Sequence, residues 1–89
     1  MTAERPWPHR FRVTIHTNGG ASMSYPVVTW LSREKAVALA TAAHSRRHSQ
    51  EEPSARVRDV EVADLGPVAR DERGVMVLEG SDIVDRMEF

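Results

Sequence analysis

His44 and His48 stand four residues apart, a spacing that puts two imidazoles on one helix face within reach of one metal ion. A third ligand would have to come from His9, His16 or a distant carboxylate. No Glu follows His44 in the H-E-x-x-H frame that gives such a pair its chemistry. The plainer account is a pair of imidazoles at a helix C-terminus, where partial negative charge favours cations. Glu79, Asp82, Asp85 and Glu88 recur at every third residue and could hold a divalent cation or act as acid and base. They lack the alternating acids and central glycine of a calcium loop, so they read as a solvated acidic face. Gly20-Ala21-Ser22 is no nucleophile elbow, because Ser24 stands where that turn needs glycine. Asn18-Gly19-Gly20 is too short to cradle a phosphate. The absence of cysteine removes thiol nucleophiles, disulfides and zinc–thiolate sites. No catalytic residue, no metal and no cofactor is expected, and the chain reads as a non-enzyme.

Charge carries the stronger signal. Residues 1–48 hold seven Lys/Arg against two Asp/Glu, whereas residues 49–89 hold five against eleven. The formal net charge of −1 therefore hides a basic first half and an acidic second half, a pattern that points to a charged partner or an acidic tail. Of twelve basic residues only Lys35 is Lys. Codon usage in a GC-rich genome gives the same bias, and the guanidinium fork would also suit phosphate or carboxylate. Arg10, Arg12 and His16 alternate along one segment, and Arg46 and Arg47 end another, so a basic hairpin and a helix end are candidates to grip phosphates. The sequence pI of about 6.4 argues against a dedicated nucleic-acid binder. Neutralisation between the two halves and assembly of basic face on acidic face are the other accounts.

These groups must be positioned by a small fold. Phe11, Val13 and Ile15 alternate with Arg10, Arg12, Thr14 and His16, which predicts a half-buried strand over 10–16. Asn18-Gly19-Gly20 supplies a hairpin turn into a second strand over 23–30, at a sheet edge or bulged at Pro26. Ser32 is a suitable N-cap for a helix over 33–48, with Ala36, Val37, Leu39, Ala40 and Ala43 as its apolar stripe. A third strand is expected over 56–63, with Val60 and Val62 inward, Glu61 outward and Val57 out of phase, which suggests a bulge or a late start. Leu65-Gly66-Pro67 breaks the pattern. Asp71-Glu72-Arg73-Gly74 reads as a turn into a fourth strand over 75–78, and Ser81 can cap a short helix over 82–87. Trp30 is a core anchor. Trp7, between two prolines, either staples the N-terminal arm to the body or stands exposed as an interface hot spot.

The expected fold is α+β: a small antiparallel sheet in ββαββ order, a short C-terminal helix, and one Ala-rich helix packed on one face. Residues 1–9 form an irregular arm and residues 10–89 a single domain. A chain this short buries only about 60–65% of its unfolded surface, so its core is thin. Residues 1–8 hold no apolar stretch of the kind a secretory signal needs, and no apolar run approaches the roughly 20 residues that span a bilayer. The expected location is the cytoplasm.

The segments 34–40 with Ala43-His44, 59–67 and 85–89 resemble small uncharacterised proteins of high-GC actinobacteria and their phages. The resemblance implies a mobile-element or virion context, in which small α+β proteins serve as assembly parts or modulators of host proteins. The expectation is a non-enzymatic module that binds protein or further copies of itself, steered by opposed charged surfaces. Trp7, Arg10, Arg12, His16, Arg46, Arg47, Met87 and Phe89 are its candidate interaction residues. Nucleic acid bound through the basic hairpin and helix end is the alternative. Neither a membrane nor a small-molecule substrate is expected.

Overall fold

The computed structural model describes residues 7–48 and 53–85. Strand β1 (His9–Thr17) and strand β2 (Ser22–Thr29) form the hairpin, and helix α1 (Arg33–Arg47) follows. A 3-10 turn (Pro53–Ala55) leads into β3 (Val57–Pro67), and β4 (Ile83–Val84) comes last. The sheet order is β3-β1-β2-β4. β1 is antiparallel to both neighbours, whereas β4 runs parallel to β2. The fold is thus α+β with one helix on a mixed four-stranded sheet, not a purely antiparallel one.

Alternation along β1 sends Phe11, Val13 and Ile15 to the helix side, where they meet Tyr25 and Val27 of β2. Ala36, Ala40 and Ala43 press against them, and their short side chains let the helix axis lie close to the sheet. Val37 and Leu39 pack only at the margin of this core. Ser32 takes the N-cap position, but its hydroxyl does not bond the first-turn backbone. The Glu34 carboxyl is held below its usual range by its own backbone N–H and by the Ser32 hydroxyl.

β3 is longer than the sequence pattern predicts, because Gly66 at φ +88° absorbs an extra residue that continues the strand to Pro67. A second register shift lies between Val57 and Asp59, where the bulge was expected. The outer side of β2 is covered only at Val27 and Val28, so Pro26 lies where no strand needs its missing N–H.

Two expectations fail near the C-terminus. Residues 75–78 are not a strand of the sheet, and only an isolated antiparallel bridge joins Met76 to Arg70. The short helix over 82–87 is replaced, as far as Asp85, by β4. Adjacent β-branched Ile83 and Val84 favour extended backbone, and a six-residue helix has too few hydrogen bonds to offset nucleation. Residues 86 and 87 lie outside the described region. No helix among the described residues is long and apolar enough to cross a membrane.

Candidate functional site

The sheet has two unlike faces. One is sealed by α1. Register places Arg10, Arg12, Thr14 and His16 of β1 on the other, beside Val28, Pro26, Ser24 and Ser22 of β2. Asp59, Glu61 and Ala63 of β3 complete this open face. Val28 is fully buried even though it lies on that side. Residues 68–82 form a strap tied down on this side beside Arg10, the register neighbour of Val28.

Both ends of the strap are fastened. At its start Trp7 Nε1 donates to the Val68 carbonyl at 2.7 Å, and Val68 N–H donates to the Pro8 carbonyl at 3.0 Å. The Arg70 guanidinium lies 3.8 Å from the Trp7 ring centroid, a cation–π contact. Trp7 is therefore a staple, and of the arm assigned to residues 1–9, residues 7 and 8 dock on the body while His9 already belongs to β1. Residues 1–6 lie outside the described region. At the far end Arg10 Nε and Nη2 donate to the two Asp82 oxygens at 3.2 and 2.7 Å, and Nη2 also donates to the Val77 carbonyl. Glu79 N–H donates to Asp82 Oδ2 at 2.8 Å. Burial pushes the Asp82 carboxyl up, but the Arg10 hydrogen bond, the Glu79 N–H and the guanidinium charge outweigh it and hold it below the usual range. The same hydrogen bond raises Arg10 against the cost of burial.

Between these fastenings the strap turns back on itself. Asp71 Oδ1 accepts from Arg73 and Val75 N–H, Asp71 N–H donates to the Val75 carbonyl, and Val77 N–H to the Ala69 carbonyl. Gly74 at φ +79° closes the turn expected there. Alternation sends Val68 inward and leaves Val75 and Val77 outward. Val75 is 56% exposed, and Val77 and Leu78 are each 45% exposed. Leu65 on β3 is 51% exposed. A run of consecutive apolar residues thus sits on an anchored strap without a core to enter.

The remaining candidates scatter. Arg12 is exposed on the open face. His16 Nδ1 lies 2.7 Å from Ser22 Oγ, and its Nε2 lies 3.4 Å from Glu61 Oε2. This row has the residue types of a hydrolytic triad, but Glu61 is 72% exposed, so water screens the charges that such chemistry relies on. Arg46 is exposed at the end of α1, and Arg47 reaches to 5.7 Å from the Tyr25 ring centroid. Met87 and Phe89 lie outside the described residues.

His44 is completely buried, which its polar type conceals in the sequence. Its Nε2 donates to the Ala55 carbonyl at 2.9 Å, and its Nδ1 lies 3.1 Å from the Tyr25 hydroxyl. Both nitrogens are spent. The ring is 4.8 Å from that of His48, yet a shared metal would have to displace one of those partners. Among the described residues no three His, Cys, Asp or Glu side chains come close enough to hold an ion. The signal for His44 was available: it falls one turn beyond Ala40, on the buried stripe.

Part of the charge asymmetry meets itself inside the fold: Arg10 pairs with Asp82, and Lys35 Nζ lies 3.9 Å from buried Asp85. His9 and His16, which the charge count leaves neutral, contact Asp64 and Glu61. Each pair joins the basic half of the sequence to the acidic half. Arg10, put forward as an interaction residue, is held within the chain. Comparison of the chain with known protein families, with curated proteins and with solved structures returns no match.

Proposed function

We propose that the protein is a non-enzymatic binding module that docks on another protein chain through the apolar run 75–78 of its strap. The observation that carries this reading is the exposure of Val75, Val77 and Leu78 on a segment fastened at both ends. A disordered loop could bury such residues by collapsing, but an anchored one holds them out. Covering the exposed halves of three such side chains is worth about 2–4 kcal/mol. Affinity would therefore come mainly from apolar contact, since several charges that were expected to steer a partner are paired within the chain. An assembly role in a phage or mobile-element setting, the context that the resemblance implies, fits such a module.

A photo-crosslinking side chain placed at Val75 in cells that carry the gene tests the reading. It should give a protein adduct that disappears when Val77→Asp is added, whereas the same probe at exposed Ala38 on α1 should give none. Absence of any protein adduct at position 75 would remove this function. Nucleic-acid binding is the second reading, supported by exposed Arg12, Arg46 and Arg47, with Arg10 no longer available to it. It predicts a duplex shift that weakens steeply with salt.

A further inference from the structure

The geometry points to a specific partner for the strap: a second copy of this chain, added edge to edge as an antiparallel strand pair with its two-fold axis at Met76. This rests on the strap being a protein-binding surface and names what it binds.

The backbone supplies the first reason. Asp71 N–H reaches the Val75 carbonyl and Val77 N–H reaches the Ala69 carbonyl, so Arg70 and Met76 face each other as a non-hydrogen-bonded pair. The Met76 N–H and C=O consequently point away from Arg70, toward the outer edge of the strap. Among the described residues neither group has a partner. Two copies related by a two-fold axis at Met76 would satisfy both groups reciprocally, each N–H donating to the other Met76 carbonyl.

Side-chain order supplies the second. The run Arg73-Gly74-Val75-Met76-Val77-Leu78-Glu79 is self-complementary about its centre. An antiparallel pair centred on Met76 sets Val75 against Val77 twice. The turn that Gly74 closes, its N–H spent on the Asp71 carbonyl, ends the paired stretch and brings Arg73 to the end of the other copy that carries Glu79. Arg73 and Glu79 are exposed and make no close ion pair among the described residues, although the Glu79 charge acts on Arg10 at longer range. Opposite charges facing each other across a strand pair are favourable, and like charges are not.

The long free edge of β3 fails the same test. β3 pairs with β1 alone, but centring a self-pair on Val60 sets Asp59 against Glu61, and centring it on Glu61 sets that carboxylate against itself. Its two bulges and its charges are the usual devices that keep an edge unpaired. The strap edge is neutral from Gly74 to Leu78 and carries no such device.

The chain has no cysteine, so register can be read by engineered disulfides. Val75 and Val77 of opposite copies would form a non-hydrogen-bonded pair, with Cα atoms about 4.5 Å apart, close enough for a disulfide. A mixture of Val75→Cys and Val77→Cys proteins under mild oxidation should give the mixed disulfide at least about tenfold faster than either protein forms its own homodimer. In sedimentation, the wild-type chain should reach a dimer with rising concentration. Arg73→Glu or Glu79→Arg should each weaken that dimer about tenfold at low salt, and the doubly reversed chain should regain it. A monomer at every concentration overturns self-pairing. If the Val75 photo-adduct with a different protein persists in that case, the binding reading stands without this partner. If no adduct forms either, both fall. A dimer that ignores both charge reversals, or that shows no preference for the 75/77 disulfide, also overturns the proposal by placing the contact elsewhere.

Discussion

Replacing Asp82 by Asn keeps the side-chain shape but removes the charge that fastens the far end of the strap. The carboxylate accepts from Arg10 Nε at 3.2 Å, from Arg10 Nη2 at 2.7 Å and from Glu79 N–H at 2.8 Å, and its side chain is fully shielded from solvent. In the amide, one oxygen becomes an NH2 group that faces donors. Hydrogen bonds to charged groups contribute roughly 1.5–3 kcal/mol each, whereas removing one partner of a well-buried pair costs about 3–5 kcal/mol. Arg10 keeps 19% of its side chain in water and can rehydrate in part, so the expected loss is about 2–3 kcal/mol. Against the roughly 5–12 kcal/mol available to a chain of this size, that is a large fraction. It corresponds to a fall in Tm of about 10–20 °C.

The pH dependence gives a sharper test. Because the folded Asp82 carboxyl sits below its ordinary value, it binds its proton more weakly than in the unfolded chain. Its contribution is therefore fully present above the unfolded pKa of about 3.9 and is lost as pH falls through the lower folded value. Urea unfolding of wild type and Asp82→Asn should differ by the full amount at pH 7 and converge in acid. Hydrogen exchange should show the Glu79 and Val77 N–H groups opening in the variant well before that of Val13. A gap that is absent at neutral pH, or unchanged at low pH, would refute the latch.

Three further outcomes follow from the packing. Tyr25→Phe leaves the buried Nδ1 of His44 without its hydrogen-bond partner and should cost about 1–3 kcal/mol in chemical denaturation, with little additional cost once His44 is also replaced. Ala40→Leu forces a large side chain between α1 and the sheet and should cost about 1–3 kcal/mol, while Ala38→Leu on the exposed side should change little. Thr29→Val removes the hydroxyl that donates to Asp85 at 2.8 Å and accepts from Leu31 N–H, and should lower stability by about 1–3 kcal/mol in thermal melts.

The first two strands and the helix were legible in the sequence from clean alternation in β1, the glycine turn that leads into β2, and the small-residue stripe of α1. His44 lies in the last turn of α1 as expected, but its burial was not foreseen, because a residue type that usually sits near water can be buried when both ring nitrogens find partners, and those partners, Tyr25 and Ala55, are distant in sequence. Beyond Pro67 the periodicity fails for a physical reason. Val75 to Leu78 is apolar enough to read as a strand, yet no sheet edge receives it. Ile83-Val84 is too short to signal a strand, and is one only because β2 offers an unpaired edge at Val27 and Val28.

Strand order explains why charge segregated along the sequence ends as pairs within the fold. In β3-β1-β2-β4 the two strands from the basic half are central, and those from the acidic half occupy both edges. Every acidic-half strand must then lie beside a basic-half one. His9 and His16 meet β3 on one side, and Arg10 meets the turn that precedes β4 on the other. Part of the asymmetry is thus spent within the chain, where Arg10–Asp82 fastens the strap and Lys35 approaches Asp85. The same topology leaves one thing unspent: the strap must travel from the β3 edge to the β4 edge across an open face already furnished with polar side chains. Its apolar run stays about half exposed there, which is why the proposed docking surface lies on the connection between strands and not on the strands themselves.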